Sequence, residues 1–78
     1  MSSYQHYLFD LGLLLKEYAF DAVDKLNSAA PGTPEHEFNS GRVFAYYQVI
    51  SLMQQQAEVF EIPLKDLRLD DIVPDRDL

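Results

Sequence analysis

Few side chains in this sequence are suited to chemistry, and the most suggestive group combines one histidine with two carboxylates. Glu58 and Glu61 are three residues apart, so they would share one face of a helix. A sharp turn near the middle of the chain would bring His6 close to Glu58. One imidazole and two carboxylates can ligate a divalent metal or form a pH-sensitive ion pair. His6, Glu58 and Glu61 are therefore candidate metal ligands, although a surface ion pair is the interpretation we favour.

Other kinds of catalysis lack the residues they need. The chain has no cysteine, which excludes a thiol nucleophile and thiolate metal ligands. It has no glycine-rich phosphate loop, and the expected helix register puts no serine beside a histidine. His36 lies between Glu35 and Glu37, but adjacent residues do not share a helix face. We therefore predict no catalytic residue, no cofactor and no enzyme activity. The alternative is a small metal-dependent all-α hydrolase with a carboxylate and histidine site.

The elements that would position these residues are organised around a long second helix. Thr33 is a suitable N-cap, Pro34 suits the first helical position, and Pro63 predicts an end near Ile62. Helix 2 is therefore expected over about 34–62. Its first apolar stripe has the spacing 3, 4, 3, 4, 3 and comprises Val43, Tyr46, Ile50, Met53, Ala57 and Phe60. A second stripe beside it comprises Phe38, Ala45, Val49, Leu52 and Val59, with Gln56 at one step. Two stripes predict contact with at least two other helices, as in a bundle.

Helix 1 is expected over about 3–28. Ser2 and Gln5 form a plausible capping box at its start. Its main apolar stripe has the spacing 3, 4, 3, 4 and comprises Tyr4, Tyr7, Leu11, Leu14 and Tyr18. Further apolar side chains widen this face, so a monomeric hairpin would leave several of them in water. Large exposed apolar patches usually mark interaction surfaces.

A short linker joins the two helices. Pro31 and Gly32 break the helical pattern there, and a short connection makes long helices antiparallel neighbours. Residues 1–63 thus predict an antiparallel two-helix hairpin. In this register Gly41 lies opposite Ala22, and we expect the two backbones to approach closely at that point. We also favour one continuous helix through Gly41 over a break.

The chain changes character at residues 64–78. Leu64, Leu67 and Ile72 can lie on one side of a short helical turn, and Pro74 prevents a long helix. The segment carries too many apolar residues for a simple solvated tail. We expect it to pack on the hairpin or on a second subunit.

Self-association follows from the size of the chain. It has 78 residues, of which 47% are hydrophobic, and no disulfide to stabilise it. Small scaffolds of this kind often depend on oligomerisation. We therefore predict an all-α protein whose hairpin dimerises into a four-helix bundle. The residues expected in the core or at the dimer interface are Leu11, Leu14, Tyr18, Tyr46, Ile50, Met53 and Phe60.

Charge restricts the choice of partners. The formal net charge is −7, from 13 acidic and 6 basic residues. Nucleic acids and anionic membrane surfaces select for basic patches, so we expect neither as a ligand, and a partner with a basic surface would be the favourable match. The N-terminus lacks a basic signal-peptide region, and no apolar run is long enough to span a membrane, which predicts a cytoplasmic location. The expected function is a small acidic, non-enzymatic protein–protein interaction module, such as an adaptor, inhibitor or accessory factor of bacterial or phage type.

Overall fold

The computed structural model of the protein describes residues 2–78, and these residues form helices and turns without any β-strand. Helix α1 spans Ser3–Ser28 and helix α2 spans Pro34–Val59. A 3-10 turn follows at Leu64–Leu67, and a short helix α3 spans Pro74–Asp77. The predicted all-α architecture, two long helices packed together with a short C-terminal piece, is therefore confirmed.

Local signals explain where the two long helices begin. The Ser2 side chain accepts a hydrogen bond from the Gln5 backbone, while the Gln5 side chain accepts one from the Ser2 backbone, so the predicted capping box is present. At α2 a single bond provides the cap, since the Thr33 side chain accepts from the His36 backbone N–H. Between the helices, Gly32 has a φ of 84°, a conformation that glycine adopts without strain.

Helix α2 ends three residues earlier than the predicted end near Ile62. The backbone N–H of Ile62 donates to the Ala57 carbonyl at 2.8 Å, and that of Glu61 donates to the Glu58 carbonyl at 3.2 Å. This pair of bonds is a Schellman motif, which requires a left-handed residue after the helix. Glu61 supplies it with a φ of 55°. The prediction failed here because proline was read as the stop signal, whereas the turn before Pro63 already ends the helix.

The C-terminal segment, residues 64–78, supplies much of the core. Ile50 of α2 and Leu69 of this segment are the largest side chains that are completely buried. Leu67 and Ile72 join them, packed against Ala19 of α1. The segment therefore packs on the hairpin of its own chain.

Glycine permits one close contact, but not at the predicted position. Gly41 has no atom within 4 Å of where a Cβ would be, so the expected close approach to Ala22 at this point is wrong. At Gly12 a Cβ would lie 1.6 Å from the Leu67 carbonyl oxygen. The close approach is thus between α1 and the C-terminal segment, which the hairpin register alone does not place. Helix α2 does continue through Gly41, as predicted.

Polar side chains fix the C-terminal segment across both helices. Lys16 of α1 is almost fully buried, and its Nζ lies 2.6 Å from the Asp71 carboxylate. From α2, the Gln54 amide donates to the Leu69 carbonyl at 3.0 Å and to the Ile72 carbonyl at 2.9 Å. The two bonds from Gln54 satisfy backbone carbonyls that the irregular segment does not pair by itself.

Candidate interaction surface

The candidate metal ligands do not form a site. His6, Glu58 and Glu61 are all exposed side chains. Within residues 2–78, no three His, Asp or Glu side chains come together in a way that could hold a metal ion. The hydrolase alternative therefore gains no geometric support from these residues.

The predicted core and interface residues divide into two sets. Ile50 is completely buried, and Tyr46 and Met53 are half-buried against the core that it centres. Leu11 is half-buried as well, whereas three members of the set are exposed: Leu14, Tyr18 and Phe60. The first stripe of α2 thus serves mainly the packing within the chain.

A continuous apolar surface remains uncovered on one side of the hairpin. We call it the exposed face. It combines the main stripe of α1 with most of the second stripe of α2, and its members are Tyr4, Tyr7, Leu11, Leu14, Tyr18, Ala45, Val49, Leu52, Gln56 and Val59. All of these side chains except the half-buried Leu11 are exposed, and none carries a charge. Gln56 is the one amide among them.

Helix geometry puts both stripes on the side opposite the C-terminal segment. That segment contacts α1 at Gly12 and Lys16, and each of these residues precedes a member of the exposed face by two positions. It contacts α2 at Tyr47 and Gln54, which also precede members of the face by two positions. Two residues turn a helix by about 200°. One side of the hairpin is therefore covered by the chain itself, and the other side is open.

Aromatic packing joins the exposed face to the core across the hairpin. The rings of Tyr18 and Tyr46 are stacked with their centroids 6.3 Å apart and their planes inclined by 30°. Tyr18 belongs to the exposed face, while Tyr46 packs against the buried core. Because such a stacked pair restrains both rings, it gives this part of the face a defined shape.

A group of ion pairs borders the exposed face at its loop end. Asp21 accepts contacts at 3.2 Å from both Lys25 and Arg42. The hydrogen bond from Lys25, followed by that from Arg42, lowers the pKa of the Asp21 carboxyl below its ordinary value. Arg42 also donates to the buried Asn39, whose amide donates to the Glu35 carbonyl. Two basic side chains therefore share one carboxylate at this border.

The accessible surface of the chain is larger than its mass predicts. It amounts to 5481 Å². A folded monomer of 9.0 kDa is expected to expose about 4,850 Å². The excess of about 600 Å² approaches the roughly 800 Å² per partner that a specific protein–protein interface buries.

A second concave surface lies between α2 and the C-terminal segment, and we call it the acidic groove. Its volume is about 750 Å³. Its charged residues are Glu58, Asp70 and Asp75. Asp75 accepts a hydrogen bond from the Tyr47 hydroxyl, which raises the pKa of Tyr47 above its ordinary value. This groove was not predicted, since it exists only because the C-terminal segment folds back.

Two residues that organise these surfaces were missed by the reasoning from sequence. Lys16 falls four residues after Gly12 and three before Ala19, in the middle of an apolar helix face. A lysine there signals a buried partner, and an acidic residue in the C-terminal segment was the natural choice. Gln54 carried no comparable signal, because a glutamine on α2 is equally compatible with solvent.

Comparisons with known proteins give no indication of function, so the proposal below is argued from the geometry of the structure. No protein family model matches the sequence, and no curated protein or solved structure is detectably similar to it. Within the part of the chain that the structure describes, no helix combines the length and the apolar character needed to cross a membrane.

Proposed function

We propose that this protein is a small, non-enzymatic protein–protein interaction module, and that its exposed face is covered by a second copy of the chain. Two hairpins packed face to face would form a four-helix bundle. The observation that carries the proposal is the uncharged apolar surface shared by α1 and α2 on the side that the C-terminal segment leaves open.

A second copy suits this surface for three reasons. The stripes on α1 and α2 have heptad-like spacing, which is the pattern of helices packed nearly parallel or antiparallel. An apolar face is self-complementary, as a two-fold interface requires. Because the net charge of each copy is −7, an interface free of carboxylates avoids repulsion where the copies touch.

A matched pair of substitutions tests this proposal. Leu14 belongs to the exposed face and is 45% exposed, whereas Phe20 lies on another side of α1 and is 42% exposed. Leu14→Asp puts a charge into the interface and should convert the protein to monomer, because a carboxylate buried without a partner is strongly unfavourable. Phe20→Asp should leave the mass unchanged. Light scattering at one protein concentration measures the mass of both variants.

The two outcomes are easy to separate. If both variants keep the mass of the unmodified protein, the exposed face is not the contact between copies. If both become monomeric, charge anywhere on α1 disrupts assembly, and the assignment to this face is lost. Circular dichroism on the same samples shows whether each variant keeps its helices, since both residues are partly exposed and neither belongs to the buried core.

A further inference from the structure

The acidic groove is separate from the exposed face and has a different character. From α2 it is lined by Gln55 and by a row of four residues: Tyr47, Ser51, Gln54 and Glu58, spaced 4, 3, 4. Each residue of this row follows a member of the exposed face by two positions, which turns it by about 200° around the helix. A partner in the groove would therefore not compete with the second copy proposed for the exposed face.

The charge of the groove is not balanced by the chain. The charged residues that line it are three carboxylates, Glu58, Asp70 and Asp75. No lysine or arginine is among the described residues that line it. Most basic side chains of the chain are already engaged by other carboxylates: Lys16 with Asp71, Lys25 and Arg42 with Asp21, and Arg76 with Asp77. The other two, Lys65 and Arg68, lie beside Phe9 near α1. A concave surface with charge of one sign concentrates ligands of the opposite sign.

Apolar side chains give the groove a second means of recognition. Ile62 and Val73 are 37% and 48% exposed at its walls, above the buried Leu69 and Ile72. The stretch of α2 from Tyr47 to Glu58 measures about 16 Å at 1.5 Å per residue. That length suits about five residues of an extended peptide, whose side chains alternate in direction. Basic side chains could then meet the carboxylates while an apolar one contacts Ile62 or Val73.

We propose that the acidic groove binds a short segment of a partner protein that combines basic and large apolar side chains. This inference goes beyond the pairing of two copies and does not depend on it. Charge at the rim of an interface governs association and partner choice, and the apolar contacts provide affinity. Binding should therefore weaken as salt concentration rises, because salt screens the exposed carboxylates.

Selection from a random library of dodecapeptides displayed on phage, with the full chain as bait, tests the proposal. The enriched peptides should carry several lysines or arginines together with a large apolar residue. In fluorescence anisotropy, the triple variant Glu58→Gln, Asp70→Asn, Asp75→Asn should bind the best of them about tenfold more weakly, the change expected when three partly exposed ion pairs are lost.

A second triple variant of equal charge change is the control. Asp10→Asn, Glu17→Gln and Asp24→Asn remove three exposed carboxylates from α1, none of which lines the groove. Its affinity should stay within about twofold of the unmodified protein, since distant exposed charges are screened. Equal weakening by both triple variants, enrichment of peptides without basic residues, or no enrichment at all would each overturn the proposal. Sedimentation of the same samples reports pairing separately, so failure of one proposal is distinguishable from failure of the other.

Discussion

Two glycines in similar helical settings have opposite roles, and the difference comes from what surrounds them. Gly12 allows the Leu67 backbone to lie against α1, whereas nothing comes within 4 Å of a Cβ at Gly41. The sequence shows that both residues weaken a helix, by about 1 kcal/mol each relative to alanine. It does not show which weakness is compensated, because the compensating contact at Gly12 comes from a residue more than fifty positions away.

Alanine at these two positions should change stability in opposite directions. Gly12→Ala would place a methyl group 1.6 Å from the Leu67 carbonyl oxygen and should lower the free energy of unfolding by about 2 kcal/mol, as overpacking does. Gly41→Ala should raise it by up to about 1 kcal/mol through helix propensity alone. Urea denaturation at one fixed protein concentration measures both. A stabilised Gly12→Ala variant would mean that the C-terminal segment does not pack there.

The end of α2 carries conformational strain at a single residue. Glu61 adopts the left-handed conformation that the Schellman motif requires, although glycine is the residue that does so at least cost. Glu61→Gly should raise the free energy of unfolding by about 0.5–1 kcal/mol. Arg68 is also left-handed, but its guanidinium lies 4.8 Å from the centre of the Phe9 ring. Because Arg68→Gly loses this contact, it should raise the free energy of unfolding by less than Glu61→Gly does. Equal gains, measured by thermal unfolding, would contradict this account of the two residues.

At the scale of elements, the helices were readable from the sequence and the C-terminal segment was not. Capping residues and apolar spacing are local features, so they predicted α1, α2 and the linker between them. The path of residues 64–78 depends on long-range contacts such as Lys16 with Asp71 and Gln54 with the Leu69 carbonyl. The position of Lys16 signals an acidic partner, but no local pattern identifies that partner as Asp71 or places Gln54 against the Leu69 carbonyl. The acidic groove follows from these contacts. The apolar stripes of α1 and α2 that form the exposed face were visible in the sequence. Which side of the hairpin stays open could be decided only once the position of the C-terminal segment was known.

The two partners of the ion pair between Lys16 and Asp71 should contribute unequally to stability when each is replaced. Lys16 is buried, so Asp71→Asn leaves it without a counter-charge and should lower the free energy of unfolding. Because solvent reaches most of the Asp71 side chain, the loss should be only about 1 kcal/mol. Lys16→Met replaces the buried ammonium with an apolar group and should stay within about 1 kcal/mol of the unmodified protein. Guanidinium denaturation ranks the variants, and a larger loss in Lys16→Met would contradict this asymmetry.

The same ion pair predicts a pH dependence. The hydrogen bond from Lys16 is the main cause that lowers the pKa of the Asp71 carboxyl in the folded protein. The stabilisation is therefore fully present above the unfolded pKa of about 3.9 and is lost as the pH falls through the lower folded value. The stability difference between the unmodified protein and Asp71→Asn should be constant near neutral pH and should shrink below about pH 4. A difference that persists unchanged in strong acid would show that Asp71 acts through something other than its charge.

At the scale of the whole molecule, the single chain is elongated. Its principal extents are 44 × 21 × 16 Å and its radius of gyration is 13.9 Å. A compact domain of this length is expected to have a radius of about 11.5 Å. The elongation follows from two long helices lying side by side with only a short segment packed on them. Burying the exposed face of one copy against that of another would add thickness to this body and remove apolar surface from water.

The mass of the particle in solution tests the central claim most directly. Sedimentation equilibrium over a range of micromolar concentrations should give about twice the chain mass of 9.0 kDa, with the monomer appearing only on dilution. A single species of 9.0 kDa across that whole range, with native helical content, would contradict the claim that a second copy covers the exposed face.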